Sequence, residues 1–138
     1  MSKVRILLVS VFMLAISGIM QAQMLDPIKW SVSVQKVSES EANVVVSATI
    51  DMGWHLYSQK VDPGGPLPTV FKFDPNAAYK LVGTPAEWPK AHVEYDETFE
   101  MDVPSWTGSA SFTQRIKILK QESFTLTGLV EYMTCNDE

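Results

Sequence analysis

The chain has 138 residues, 46% of them apolar, with 11 Lys and Arg against 16 Asp and Glu and a formal net charge of −5. That length holds one domain with or without a targeting segment, and the composition is that of a folded protein, which excludes wholesale disorder. No basic stripe is present to neutralise phosphates, so nucleic-acid binding is excluded, and a single Cys excludes an internal disulfide framework or a zinc site built on several thiolates.

Lys3 and Arg5 open the chain, and a mostly apolar run follows from Ile6 to Met20. Gln21-Ala22-Gln23 then supplies a small residue at a cleavage point. This order is that of a secretory signal peptide over residues 1–22, leaving a domain over residues 23–138. An uncleaved anchor is the competing reading, but a spanning helix needs roughly 20 apolar residues and this run is shorter. Export places the single Cys in an oxidising compartment, where a free thiol needs an explanation.

The rest of the chain predicts strands. Trp30, Val32 and Val34 alternate with Ser31, Ser33 and Gln35, the period-two signature of a half-buried strand. Ala42, Val44, Val46, Ala48 and Ile50 repeat it, and Ser38-Glu39-Ser40 between the two predicts a turn joining antiparallel neighbours. Short strands are expected over His55–Gln59, Val70–Phe73 and Tyr79–Val82. Asp62-Pro63-Gly64-Gly65-Pro66 and Asp74-Pro75-Asn76 interrupt them, since Pro lacks a donor and Gly favours turns. Pro85 to Val93 reads as irregular. Phe99, Met101 and Val103 alternate, as do Ala110, Phe112, Gln114, Ile116 and Ile118, and Phe124 to Thr134 reads as one core strand with Cys135 at its end. No window carries a helical stripe. The expected fold is all-β, an immunoglobulin-like antiparallel β-sandwich, with a closed barrel as the alternative.

Cys135 is the leading candidate for chemistry. A thiolate is the nucleophile of disulfide exchange, and a strand end supplies exposure. Asp137 and Glu138 oppose a thiolate if they lie close. On residue chemistry alone the other reading stays open, a Cys that packs as a small apolar side chain. His55 and His92 could form a metal site or an acid–base pair with carboxylates, although their spacing implies no motif. Trp88, Tyr95 and Phe99 lie along an acidic stretch with Glu87, Glu94, Asp96, Glu97 and Glu100, which suits either a lid or partner surface, or core anchors. Trp30, Trp54 and Trp106 read as core. No phosphate-binding glycine loop and no nucleophilic serine elbow is present.

Three stretches together resemble the N-terminal domain of the thiol:disulfide interchange protein DsbD, in the form found in Bacteroidetes-like bacteria. They are Gly53-Trp54-His55-Leu56-Tyr57-Ser58-Gln59, Val93-Glu94-Tyr95-Asp96 with Phe99, and Val130-Glu131-Tyr132-Met133-Thr134-Cys135-Asn136-Asp137-Glu138. The resemblance implies an exported, periplasmic immunoglobulin-like sandwich of protein-disulfide reductase type. Such a domain takes electrons from the membrane-embedded part of DsbD through a thioredoxin-like domain. It passes them to periplasmic thiol proteins, including disulfide isomerases and cytochrome c maturation factors. It implies no cofactor and no metal.

Residue by residue, Cys135 is similar to the first Cys of the family's redox pair. Tyr57 and Tyr132 match supporting aromatics. Tyr95, with Phe99 as second choice, matches the aromatic that shields the thiol, and Glu94 the acidic residue before it. The family's second Cys, a Pro-rich turn and a last strand lie beyond the first Cys, and this sequence ends at Glu138 before them. The expectation is therefore a truncated domain, joined to a membrane only through a missing C-terminal portion. It could form a mixed disulfide but not the internal one. Two other readings stand beside it: a non-catalytic sandwich binding a protein through its aromatic loop, and a metal-dependent hydrolase using His55 and His92.

Overall fold

A computed structural model describes residues 24–137, so the segment read as a signal peptide and Glu138 lie outside the described residues. The described residues form ten strands and no helix: β1 (Ile28–Lys36), β2 (Glu41–Ile50), β3 (Trp54–Tyr57), β4 (Val70–Phe73), β5 (Tyr79–Trp88), β6 (His92–Asp96), β7 (Met101–Trp106), β8 (Ser109–Ile118), β9 (Gly128–Glu131) and β10 (Thr134–Asn136). One sheet has the order β1-β2-β8-β5, a second β10-β3-β7-β6, and β4 and β9 form a two-stranded ribbon. Every pairing is antiparallel.

Period two decides which side chains enter the core. Ala42, Val44, Val46, Ala48 and Ile50 of β2 are all buried, as are Ala110, Phe112, Gln114 and Ile116 of β8. These two central strands carry the first sheet's inner face. At one end that face packs on Leu56 of β3 and Trp106 of β7. Further along it packs on Phe71 and Phe73 of β4 and on Phe124 and Leu126. The second layer is thus the second sheet continued by the ribbon, and the whole is the antiparallel sandwich that the alternation predicts. Phe112 is the hub, with ring centroids 4.7 Å from Phe71, 5.4 Å from Trp106 and 6.2 Å from Trp30. Burying one such side chain stabilises the fold by about 1.5–3 kcal/mol.

Three sequence expectations are corrected. Pro85 to Val93 is not irregular throughout, because β5 continues to Trp88 and β6 starts at His92. β5 is an edge strand, where a Pro leaves no ladder bond unmade. A register shift between Val82 and Ala86 absorbs Gly83, and the buried Gln114 amide donates to the carbonyls of Val82, Gly83 and Arg115. Phe124 to Thr134 is not one strand. Phe124 and Leu126 pack as a coil against the core, β9 covers Gly128–Glu131, and the chain then crosses from the ribbon to the second sheet before β10. Gly128 is required there, since a Cβ would strike the carbonyl oxygen of Lys72 on β4. Finally, Val32 and Val34 are each 65% exposed. They point to the inner side, opposite Val46 and Val44, but β1 is an edge strand and the second layer does not cover it.

Candidate functional site

The site is built on β3. Asp51-Met52-Gly53 turns the chain out of β2, with Gly53 at φ 79° and the Trp54 amide donating to the Asp51 carbonyl at 3.1 Å. Glycine takes that left-handed conformation without strain. Along β3, Leu56 is fully buried and Trp54 packs on the same core cluster. Period two therefore turns His55 and Tyr57 to the opposite face of the sheet. β10 pairs with β3 so that Cys135 stands opposite His55. The Tyr57 hydroxyl donates to Cys135 Sγ at 2.8 Å.

The backbone around this contact is held on all sides. Thr69 Oγ1 donates to the Tyr57 carbonyl and Thr134 Oγ1 to the His55 carbonyl, both at 2.6 Å. The Asp137 amide donates to the Gly53 carbonyl at 3.2 Å. Just past Tyr57, the Ser58 hydroxyl and the Gln59 amide donate to the Glu87 carboxylate at 2.8 and 2.7 Å. Glu87 lies on β5, so this carboxylate ties the end of β3 to the other sheet.

Cys135 is half-buried and opens into a cavity of about 210 Å³ shared with His55, Tyr57, Glu94, Tyr95, Asp96 and Asp137. His55 Nε2 donates to Asp137 Oδ1 at 2.7 Å, so the nearest acidic residue in sequence is turned toward the imidazole. Tyr57 is held protonated well above the ordinary tyrosine range. Burial is the main cause, followed by its hydrogen bond to Cys135, the charge on that sulfur, and the Asp96 carboxylate. A tyrosine that keeps its proton remains a donor to the sulfur. A larger open groove of about 630 Å³, between Val32 and Val34 on one side and Phe124 and Leu126 on the other, has no Cys or His among its lining residues.

The structure brings together four of the six candidate residues. Cys135, Tyr57, Glu94 and Tyr95 line the cavity, with Tyr95 63% exposed at its rim. Phe99 does not line it: it lies in the turn after β6, where its amide and that of Thr98 donate to Asp96 Oδ1. Tyr132 lies on the core side, its ring centroid 5.2 Å from Trp30. Trp88 is 73% exposed at the end of β5, outside this cavity. His55 and His92 do not meet. β7 separates their strands, and His92 bonds Glu94 at 2.8 Å instead. Among the described residues no group of three or more His, Cys, Asp and Glu could hold a metal ion.

Sequence reasoning missed the His55–Asp137 pair, the Asp96 charge beside Tyr57, and Glu87. A signal for the first was present. Asp137 is two residues from Cys135 and His55 two from Tyr57, so once the strands pair all four share a face.

What these observations define is a thiol-bearing antiparallel β-sandwich, with one half-buried sulfur that accepts a hydrogen bond and faces an open cavity. The family described as "Thiol:disulfide interchange protein DsbD, N-terminal" matches residues 21–138, and the chain belongs to that family. Membership assigns it to thiol:disulfide interchange and to contact with thiol–disulfide partner proteins. Comparison with curated proteins and with solved structures returned no match.

Proposed function

We propose that this domain carries electrons by thiol–disulfide exchange at Cys135, from a DsbD-type membrane reductase to thiol proteins of the periplasm. The observation that supports this best is the Tyr57 hydroxyl on Cys135 Sγ at 2.8 Å, in a cavity open to a partner. A donor held on the sulfur stabilises the thiolate, which is the attacking species. Tyr95 and Glu94 at the rim are the shield that a docking partner displaces. The partners are thioredoxin-like domains, whose own disulfide chemistry matches the step. With one Cys in the sequence, the step these residues carry is formation of a mixed disulfide.

The test is covalent trapping. A thioredoxin-like protein with its resolving Cys replaced, and its remaining thiol activated as an aromatic mixed disulfide, is mixed with the protein and run on a non-reducing gel. A linked species that disappears in Cys135→Ser is the expected result. Equal trapping by Cys135→Ser, or none by the wild type, refutes the proposal.

The exposure of Trp88 and Tyr95 supports a second reading, partner binding without exchange. In that case Tyr95→Ala or Trp88→Ala abolishes the complex while Cys135→Ser keeps it.

A further inference from the structure

The cavity holds more acid than the thiol needs. Glu94 and Asp96 reach it from β6, Asp137 lies just past β10, and β7 contributes Val103 and Ser105, which do not ionise in the working range. Tyr57 donates to the sulfur and cannot take its proton. Among the described residues lining the cavity, His55 is the one side chain able to carry a positive charge. It stands directly across the strand pair from Cys135. Cβ atoms of such pairs lie about 4.5–5.5 Å apart.

The ring is also oriented. A carboxylate only accepts, so the 2.7 Å contact with Asp137 Oδ1 places the proton of neutral His55 on Nε2 and leaves the Nδ1 lone pair for another proton. The His55 side chain is 22% exposed and that of Asp137 70%. The imidazole is thus sheltered, and its orienting carboxylate sits at the solvent edge. His55 shares the cavity with Cys135 without bonding its sulfur at rest, and a base oriented by a third group beside a nucleophile is a combination used to activate weak nucleophiles on unrelated folds.

We infer that His55, oriented by Asp137, is the proton acceptor and donor for exchange at Cys135. The inference rests on the thiol-exchange reading and deepens it. When a partner disulfide enters, His55 takes the proton of the Cys135 thiol. The sulfur then attacks one sulfur of the partner's disulfide. A Cys135–partner disulfide forms, the partner's own S–S bond breaks, and its second sulfur leaves as a thiolate. His55 returns the proton to that sulfur. Cys135 is oxidised from thiol to disulfide, one partner sulfur is reduced to thiol, and no further reductant is needed. Asp137 is a positioning residue. His92, bonded to Glu94, is not part of the relay.

The leaving group separates this role from a structural one. An aliphatic thiolate is the poorer leaving group, so a proton delivered as it departs speeds the step, whereas an aromatic thiolate such as thionitrobenzoate leaves readily without one. The full chain is reacted at neutral pH with hydroxyethyl disulfide and with dithiobis(nitrobenzoate), as wild type, His55→Gln and Asp137→Asn, and mixed disulfides are followed by mass. His55→Gln is expected to slow the aliphatic reaction about tenfold or more. Its effect on the aromatic one should be clearly smaller, because only the first proton transfer is lost. Asp137→Asn, at a side chain 70% exposed, should show the same selectivity at lower amplitude. Equal slowing of both reagents, or slowing of neither, overturns the inference while leaving thiol exchange standing. A wild type inert to both overturns thiol exchange, and this inference with it.

Discussion

Tyr57→Phe keeps the ring of a residue only 3% exposed and deletes the one oxygen that touches Cys135 Sγ. A hydrogen bond to an ionised group contributes about 1.5–3 kcal/mol. Sulfur is a diffuse acceptor and the cavity is open, so the lower end applies here, about 1.5 kcal/mol. Because about 1.4 kcal/mol is a factor of ten, the variant holds roughly tenfold less thiolate at neutral pH. The thiolate that remains is more basic and more nucleophilic, with a dependence of about 0.4–0.5 logarithmic units per unit of basicity. The two effects together give a net slowing of about three- to fourfold at pH 7. The assay is the second-order rate with an aromatic disulfide at pH 7. A rate about three- to fourfold below that of the wild type is the expected result. A rate equal to or above that of the wild type refutes the view that the Tyr57 hydroxyl stabilises a thiolate.

Two further outcomes follow from the same network. Glu87→Ala removes the acceptor of the buried Ser58 hydroxyl and of the Gln59 amide, and each orphaned group costs about 1–3 kcal/mol. A loss of about 2–3 kcal/mol in urea unfolding with an unchanged slope is expected, and less than about 0.5 kcal/mol would show that water replaces the carboxylate freely. The Tyr57 and Tyr79 hydroxyls are both pushed above the ordinary tyrosine value of about 10, by burial first, then by the Cys135 contact and Asp96 for Tyr57 and by Asp74 for Tyr79. A raised folded value means that their contribution is fully present below about pH 10 and is lost as pH climbs toward the folded values. The urea midpoint should therefore hold through pH 9 and fall above pH 10. Tyrosinate absorbance that saturates near pH 10 in an intact fold would contradict this.

The fold was most legible where one face of a strand is buried along its whole length. β2 alternates without a fault from Ala42 to Ile50, and its burial follows the alternation residue for residue. β1 has an equally clear pattern, yet Val32 and Val34 remain exposed, because alternation tells which way a side chain points and not whether a second layer reaches it. The segment from Phe124 to Thr134 misled for a different reason. Its apolar residues serve two layers in turn, and a change of sheet at Tyr132 and Met133 leaves no mark in hydropathy. At the site, Cys135 stood out by its thiol and Tyr95 and Glu94 by their acidic, aromatic stretch, whereas Tyr57 was reached through family resemblance. The His55–Asp137 bond, spanning 82 residues, needed the register of β10 on β3 before it could be seen.

The pleat of β3 has a consequence for how such a domain can diversify. Trp54 and Leu56 meet the core, whereas His55 and Tyr57 line the cavity that holds the thiol. Neighbours in sequence thus answer to different selective demands, one register to folding and the next to reactivity. A substitution at position 55 can retune the chemistry while the packing partners at 54 and 56 stay as they are.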